Sequence, residues 1–490
     1  MRTNRIWTLL FPPLGLVRLW RAKDIRLWRR ILGTIGILFY LIPYTIAVGA
    51  LVIWLLGLEI EWRGGFPPAL TWHKTHPNYD AVEASRKAQA TTAAALPPPA
   101  GEAEWPGFRG PDCDGRWDRQ PIASHWPAGG LRPLWKQPIG GGYASFAIAG
   151  QRAFTIEQRR DNEAVTAYDL RNGRELWATT YPAHFNEMMG GDGPRATPCF
   201  SEGKVYSLGA LGDLLCLDAM SGKVVWQVNI LKDNQAELLR WGTSSSPLIV
   251  NDKVIVQPGG PDGKSVVAYD KLSGKPIWRV LDDAAAYSSP VLTQLAGEEQ
   301  LLVVTERRAA GLRPGDGALL WSTPWLVMQG RMAPHNMAQP LLLASNRFLL
   351  SSSYGKGCEA VEISRAPAGF SARTLWKNMA LKNHFTSSIL WRGYVYGLDE
   401  DILVCLDAQT GERKWKDGRY GYGQIIASGD LIIVLCGDGQ LALVKAAPDR
   451  FQEWSRFQAI DGKTWNHPAI AGGKLLVRNA VQMACFDLSP

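Results

Sequence analysis

The chain has 490 residues, 46% hydrophobic and 20% charged, which allows a sizeable core and excludes wholesale disorder. Its net charge of +8 is concentrated in residues 1–30, where eight basic side chains face the single acid Asp24 and leave the rest nearly neutral. A nucleic-acid binder carries its basic surplus on the folded domain, so this charge points to a membrane, while 50 glycines and 21 tryptophans point to an all-β protein.

Residues 1–30 read as a basic cytoplasmic segment. Residues 31–60 follow with one charge, Glu59, and an internal Pro43. A membrane-spanning helix needs about 20 apolar residues, so this run is expected to cross as an uncleaved anchor. A signal peptide has a shorter basic region, an apolar core of roughly 7–15 residues and an Ala-x-Ala site, none of which is found here. The basic side stays inside, placing the rest of the chain outside a bacterial inner (plasma) membrane, in a periplasmic or extracellular position. Residues 61–104, which end in Ala93-Ala94-Ala95-Leu96-Pro97-Pro98-Pro99, read as an Ala/Pro-rich tether. His73 and His76 within it lack further metal ligands and read as solvated.

From residue 105 the chain repeats. Ala167-Tyr168-Asp169, Gly173 and Trp177 recur as Cys216-Leu217-Asp218, Gly222 and Trp226, then as Ala268-Tyr269-Asp270, Gly274 and Trp278, and as Cys405-Leu406-Asp407, Gly411 and Trp415. Asp and Gly four apart suit a tight hairpin between alternating strands. Weaker copies supply Trp321, Trp376 and Trp454, the last with one extra residue before it, and Trp135 stands in an isolated strand. These eight tryptophans lie about 46 residues apart, the length of one four-stranded propeller blade. A small-residue step into an apolar strand recurs in phase at Ala196-Thr197-Pro198, Ser245-Ser246-Pro247, Ser288-Ser289-Pro290, Ala338-Gln339-Pro340 and Asn466-His467-Pro468. The expectation is an eight-bladed β-propeller over 105–490, its last blade joining three C-terminal strands to residues 131–139. Such closure removes exposed sheet edges.

The tryptophan unit resembles the docking motif of quinoprotein alcohol dehydrogenase-like propellers. The segment Trp105-Pro106-Gly107-Phe108-Arg109-Gly110-Pro111 is similar to the opening of PQQ-binding-like β-propeller repeat proteins. The resemblance implies that Trp135, Trp177, Trp226, Trp278, Trp321, Trp376, Trp415 and Trp454 dock structurally between blades. Catalytic relatives bind pyrroloquinoline quinone (PQQ) with calcium or a lanthanide through Glu, Asn and a catalytic Asp, and usually carry adjacent cysteines. No such metal set is matched by motif here, and the seven cysteines include no adjacent pair. Non-catalytic relatives include the propeller lipoprotein of the outer-membrane β-barrel assembly machinery, a scaffold.

Segments preceding each small-residue step are expected to gather at one mouth of the central channel. They carry Tyr143, Arg195, Trp241, Tyr287, His335, Asn336, His384, Tyr422, Trp465 and His467, a set suited to a peptide, a glycan or a flat aromatic ligand, or else to ordinary loop packing. Cys216, Cys405 and Cys485 take the alanine position of the repeat and read as small packing residues. The glycine loops at 190–193 and 259–263 read as turns. The expected function is a non-catalytic binding or scaffolding module with a protein or glycan partner in the envelope, no nucleic acid and no metal or cofactor. The alternative is a PQQ- and calcium-dependent dehydrogenase oxidising an alcohol or sugar.

Overall fold

The computed structural model describes residues 12–22, 24–65, 67–72, 76–89, 96–98, 102–327 and 336–490. The chain divides into two compact units, Met1–Trp62 with Phe66–Lys74, and Arg63–Gly65 with Thr75–Pro490. The first holds helices α1 (Pro12–Arg21) and α2 (Leu27–Leu55) and a two-stranded antiparallel ribbon, Glu59–Glu61 against Ala69–Thr71. At 29 residues α2 is about 43 Å long and exceeds a hydrocarbon core of ~30 Å. Its mean hydropathy reaches 2.1, and none of its apolar window is buried. The helix starts at Leu27 and stops at Leu55, short of the expected 31–60 span, because Gly57 turns left-handed (φ +65) and the ribbon follows. Its length and composition suit an anchor or a signal sequence alike.

The second unit is the expected eight-bladed propeller, with eight antiparallel sheets of four strands each. Blades 1 to 7 span 147–182, 199–229, 248–280, 291–324, 341–378, 389–419 and 424–458. Blade 8 pairs the C-terminal strand Gln482–Asp487 with Pro133–Pro138, so strands from both ends of the unit close the ring. The middle strands of each blade are almost wholly buried, as in Leu431–Leu435 of blade 7, because apolar side chains on both faces meet neighbouring blades.

The repeat is a docking device. Gly173, Gly222, Gly274 and Gly411 each donate a backbone hydrogen bond of 2.8–2.9 Å to the aspartate four residues earlier. The preceding blade's tryptophan lies against that glycine: a Cβ on Gly274 would sit 2.8 Å from the Trp226 ring. Indole N–H groups then bond the next blade's turn, from Trp135 to Leu170 O at 2.9 Å and from Trp226 to Lys271 O at 3.0 Å. Within each blade the tryptophan opposes a small residue: Cys216 faces Trp226, Ala268 faces Trp278, Gly311 faces Trp321, Cys405 faces Trp415 and Cys485 faces Trp135. Trp321 docks on Phe348 of blade 5, but its N–H bonds Gln300 of its own blade. Trp454 departs from the expected pattern. The extra residue puts Ser455 opposite Leu443, and Trp454 is 39% exposed, stacked on His125.

The expected tether is partly folded. Residues Tyr79–Ala88 form α3, capped by Asn78, whose Oδ1 accepts from Ala81 N at 2.9 Å. Val82 is buried, and Arg86, four residues on, donates to Pro138 O at 2.8 Å and to Glu175 at 3.1 Å. The Tyr79 hydroxyl donates to Asp192 at 2.7 Å. The low-complexity reading missed this short amphipathic period, which gives one face to blade 1 and the closing strand. His73 lies outside the described residues.

Candidate functional site

Each innermost strand begins at one end of the channel, and the residues before it form a rim. Tyr143 and Trp465 lie with ring centroids 5.3 Å apart, and Phe385 is 4.7 Å from Trp465. Tyr422 continues the belt 5.6 Å from Phe385, with His384 4.9 Å from Tyr422. His384 Nε2 and the Tyr354 hydroxyl share a 2.7 Å hydrogen bond. On the other side Trp241 and Tyr287 are 5.3 Å apart, and Trp241 N donates to the Tyr287 hydroxyl at 3.2 Å. Such tilted rings at 4.5–7 Å are favourable aromatic pairs.

Three cations sit against the rings, Arg240 at 5.8 Å from the Trp241 ring among them. The Arg195 guanidinium lies 4.5 Å over Phe185 and 5.6 Å over Tyr143. Lys463 Nζ is 4.4 Å from the Trp465 ring and donates to Met189 O at 2.9 Å. Burial lowers the pKa of Arg195 against the pull of Tyr143 and Glu187. Burial also pushes the Tyr287 and Tyr422 hydroxyls up to about 12, so both remain hydrogen-bond donors at neutral pH. The rim thus offers half-buried ring faces and hydroxyl donors, with the Arg195 guanidinium paired to Glu187 at 3.4 Å beneath them.

Below the rim a girdle of polar residues ties the inner strands together. Ser145 N donates to Thr197 Oγ1 at 3.0 Å, Thr197 N to Ser246 Oγ at 2.9 Å, and Ser246 N to Ser289 Oγ at 2.9 Å. Gln339 N donates to Ser387 Oγ at 3.0 Å, and Ser145 Oγ to His467 O at 2.7 Å. The recurring small-residue step is therefore a blade-to-blade staple. At the far end the opening segment 105–117 lies across the channel. It pairs Trp105 with Ile148 of blade 1 and Trp117 N with Ala427 O of blade 7. Arg109, buried and with φ 64, donates to Ser388 O at 2.6 Å and Ser387 O at 3.1 Å.

The structure brings Tyr143, Arg195, Trp241, Tyr287, His384, Tyr422 and Trp465 to the rim. It turns two expected members away. His467 is in the girdle and faces the opening segment, with the Phe108 ring edge 4.7 Å away, so it is a buried packing residue. Asn336 is also buried, and its amide ties down Thr305 O at 2.8 Å and Trp325 O at 3.3 Å. His335 lies outside the described residues. Phe385 and Lys463 were missed, although they sit beside His384 and Trp465 in the same segments. Tyr354 comes from the loop between the two middle strands of blade 5, a second set of loops at the same end.

Quinone chemistry of the PQQ type requires calcium, which takes 6–8 oxygen ligands. Among the described residues no three His, Cys, Asp or Glu side chains gather to hold an ion. Carboxylates near the rim are engaged: Glu187 accepts from Met189 N at 2.8 Å, and Glu163 from Tyr181 and Ala210 N.

Residues 161–417, just over half of the chain, match the PQQ-type repeat family described as outer membrane protein assembly factor BamB. The chain belongs to this family. BamB of Yersinia pestis is 22% identical over 315 residues, covering 58% of this chain and 71% of that protein. The dehydrogenase subunit of the quinone alcohol dehydrogenase of Gluconacetobacter polyoxogenes is 28% identical over 171 residues, 32% of this chain. The match spans only 22% of that enzyme, about a fifth of its length. Moraxella catarrhalis BamB, a crystal structure, aligns at a TM-score of 0.52 and 17% identity, covering 73% of this chain and 97% of that one. That likeness is one of fold. The BamB family and the quinone dehydrogenases share the PQQ-like propeller, and activity is a property of sites placed on it.

Proposed function

We infer that the chain is a membrane-anchored, non-catalytic binding module of the bacterial envelope, its propeller presenting the aromatic rim to a protein or glycan partner. The observation that carries this reading is the rim itself, a belt of half-buried aromatic faces with Arg195 and Lys463 packed against the rings. Rings of this kind stack on sugar or aromatic faces. α2 serves as the anchor, and Arg26, Arg29 and Arg30 at its start hold the N-terminus on the cytoplasmic side.

The test is calorimetric titration of the full chain in detergent with PQQ and calcium, beside a dye-linked oxidation assay with ethanol and glucose. No saturable heat and no turnover is the expected result; turnover overturns the non-catalytic reading. A photo-reactive phenylalanine analogue at 385 should give a discrete adduct in intact cells, and one at the exposed Leu272 should not. Equal labelling at both positions overturns the rim as the binding face.

A further inference from the structure

The N-terminal unit holds a second helix folded back along α2. Leu19 of α1 packs on Gly33, where an added Cβ would meet its Cδ2 at 2.8 Å. Trp20 Nε1 donates to Thr34 Oγ1 at 3.0 Å, and Arg30 Nη2 donates to Ala22 O just past the end of α1. Since Ala22 meets Arg30 and Leu19 meets Gly33, the two helices run antiparallel. Gly15, one turn before Leu19, is buried. Small residues on both helices allow this close approach.

The length of α2 sets the depth of the pair. Its 29 residues span about 43 Å, and burying them all in a hydrocarbon core of ~30 Å needs a tilt of ~45°, well above the usual ~20°. The helix ends at Leu55, and the chain then enters a ribbon strand carrying Glu59 and Glu61, so the excess of about nine residues falls at its start. With α2 as the anchor, residues 27–35 stand at headgroup level and α1 lies against them. Five arginines gather there: Arg18 and Arg21 in the last turn of α1, Arg26 before α2, and Arg29 and Arg30 in its first turn. All but Arg30 are exposed, and Asp24 is the one acid in residues 1–30. Trp20 and Trp28, both about half exposed, stand in the same turns, and the Arg29 guanidinium lies 5.1 Å from the Trp28 ring. Arginine on the cytoplasmic side and tryptophan at headgroup level are the marks of a membrane interface. The outward face of α1 adds Leu14 and Val17, 52% and 47% exposed. The antiparallel course of α1 carries Leu14 nearer the hydrocarbon than Arg18 and Arg21.

We propose that this helical pair binds an anionic phospholipid of the cytoplasmic leaflet, its phosphate held by the arginines and an acyl chain laid against Leu14 and Val17. The site rests on the reading of α2 as an uncleaved anchor with its start in the cytoplasm, and it is independent of the rim. Guanidinium groups take phosphate oxygens in paired hydrogen bonds. A headgroup of net negative charge gains from the basic surplus, whereas a zwitterionic one carries its own cation.

The experiment uses the full chain in dodecyl maltoside, titrated with palmitoyl-oleoyl phosphatidylglycerol or with the phosphatidylcholine of the same chains, and read by native mass spectrometry. Wild type should retain phosphatidylglycerol saturably and phosphatidylcholine at least about tenfold more weakly. Arg18→Gln with Arg21→Gln should weaken phosphatidylglycerol roughly 25-fold, about fivefold per arginine, and leave phosphatidylcholine unchanged. Arg365→Gln with Arg373→Gln, on blade 5, removes the same charge and should change neither. Equal retention of the two lipids, an α1 double variant that binds as wild type, or an equal loss in the blade 5 variant overturns the proposal. Displacement of the lipid by excess inorganic phosphate does so too. The comparison of the two lipids needs no variant and decides the matter even where a substitution disturbs folding. A mature chain whose intact mass lacks α2 overturns the anchor and the site together, while an intact chain without lipid selectivity overturns the site alone.

Discussion

His467 offers the sharpest test of how the channel is built. Its imidazole is buried beneath Phe108, close to the Arg109 cation, and both burial and that charge hold its pKa well below the usual value near 6.5. The folded state therefore keeps it neutral where the unfolded chain takes up a proton. The contribution to stability is full above about pH 6.5 and is lost as pH falls, by ~1.4 kcal/mol per unit. Integrated from pH 7 to pH 5, one histidine of this kind costs about 2 kcal/mol. Gln424 occupies the same girdle position in blade 7, so His467→Gln places a tolerated side chain there. Urea unfolding of both chains at pH 7 and 5 isolates the residue, since other titrating groups, among them the buried Glu163 with its raised pKa, are common to both. Wild type should lose about 2 kcal/mol more than His467→Gln over that interval. Equal losses would refute the buried, neutral assignment.

Gly274 holds φ +70 with the Trp226 ring in van der Waals contact, so Gly274→Ala should cost about 2–4 kcal/mol, from a left-handed backbone and overpacking together. Gly203, at φ +74 with nothing near, is the control and should lose only ~1–2 kcal/mol when made alanine; thermal melts compare them. Arg86→Ala removes the bonds to Pro138 O and Glu175, and amide exchange across 79–88 should rise about tenfold or more while blade strands remain protected. The full chain should stay with membranes through an alkaline carbonate wash. Ile42→Arg with Ile46→Arg, at ~2.5–3.5 kcal/mol per charge in the middle of α2, should shift it to the soluble fraction.

Much of the architecture was legible because it is periodic and local. Asp and Gly four apart dictate a hairpin, tryptophan four further on dictates a dock, and four such units with weaker copies between and beyond them, about 46 residues apart, dictate a ring whose ends must meet. Even the departure of Trp454 was visible as one extra residue, though its consequence, a slipped register and an exposed indole, needed the strand pairing. α3 escaped notice because its signal is one buried valine and one arginine, too few to stand out from a low-complexity stretch.

The rim was half legible. Seven of its residues follow from their place before each small-residue step, since chain order alone assigns those segments to one end of the channel. Tyr354 does not follow, because it arrives from a different loop of blade 5. His467 and Asn336 look like rim residues in sequence and are buried in the structure, for which way a side chain turns depends on what else fills the space. The sequence by itself determined the blade count, the closure and the docking tryptophans other than Trp454, since each depends on neighbours along the chain. Only the tertiary structure decided what lies inside the ring. The opening segment crosses the channel and takes up His467, and beside it Gln339 keeps an unpaired amide, both outcomes of packing between residues far apart in sequence.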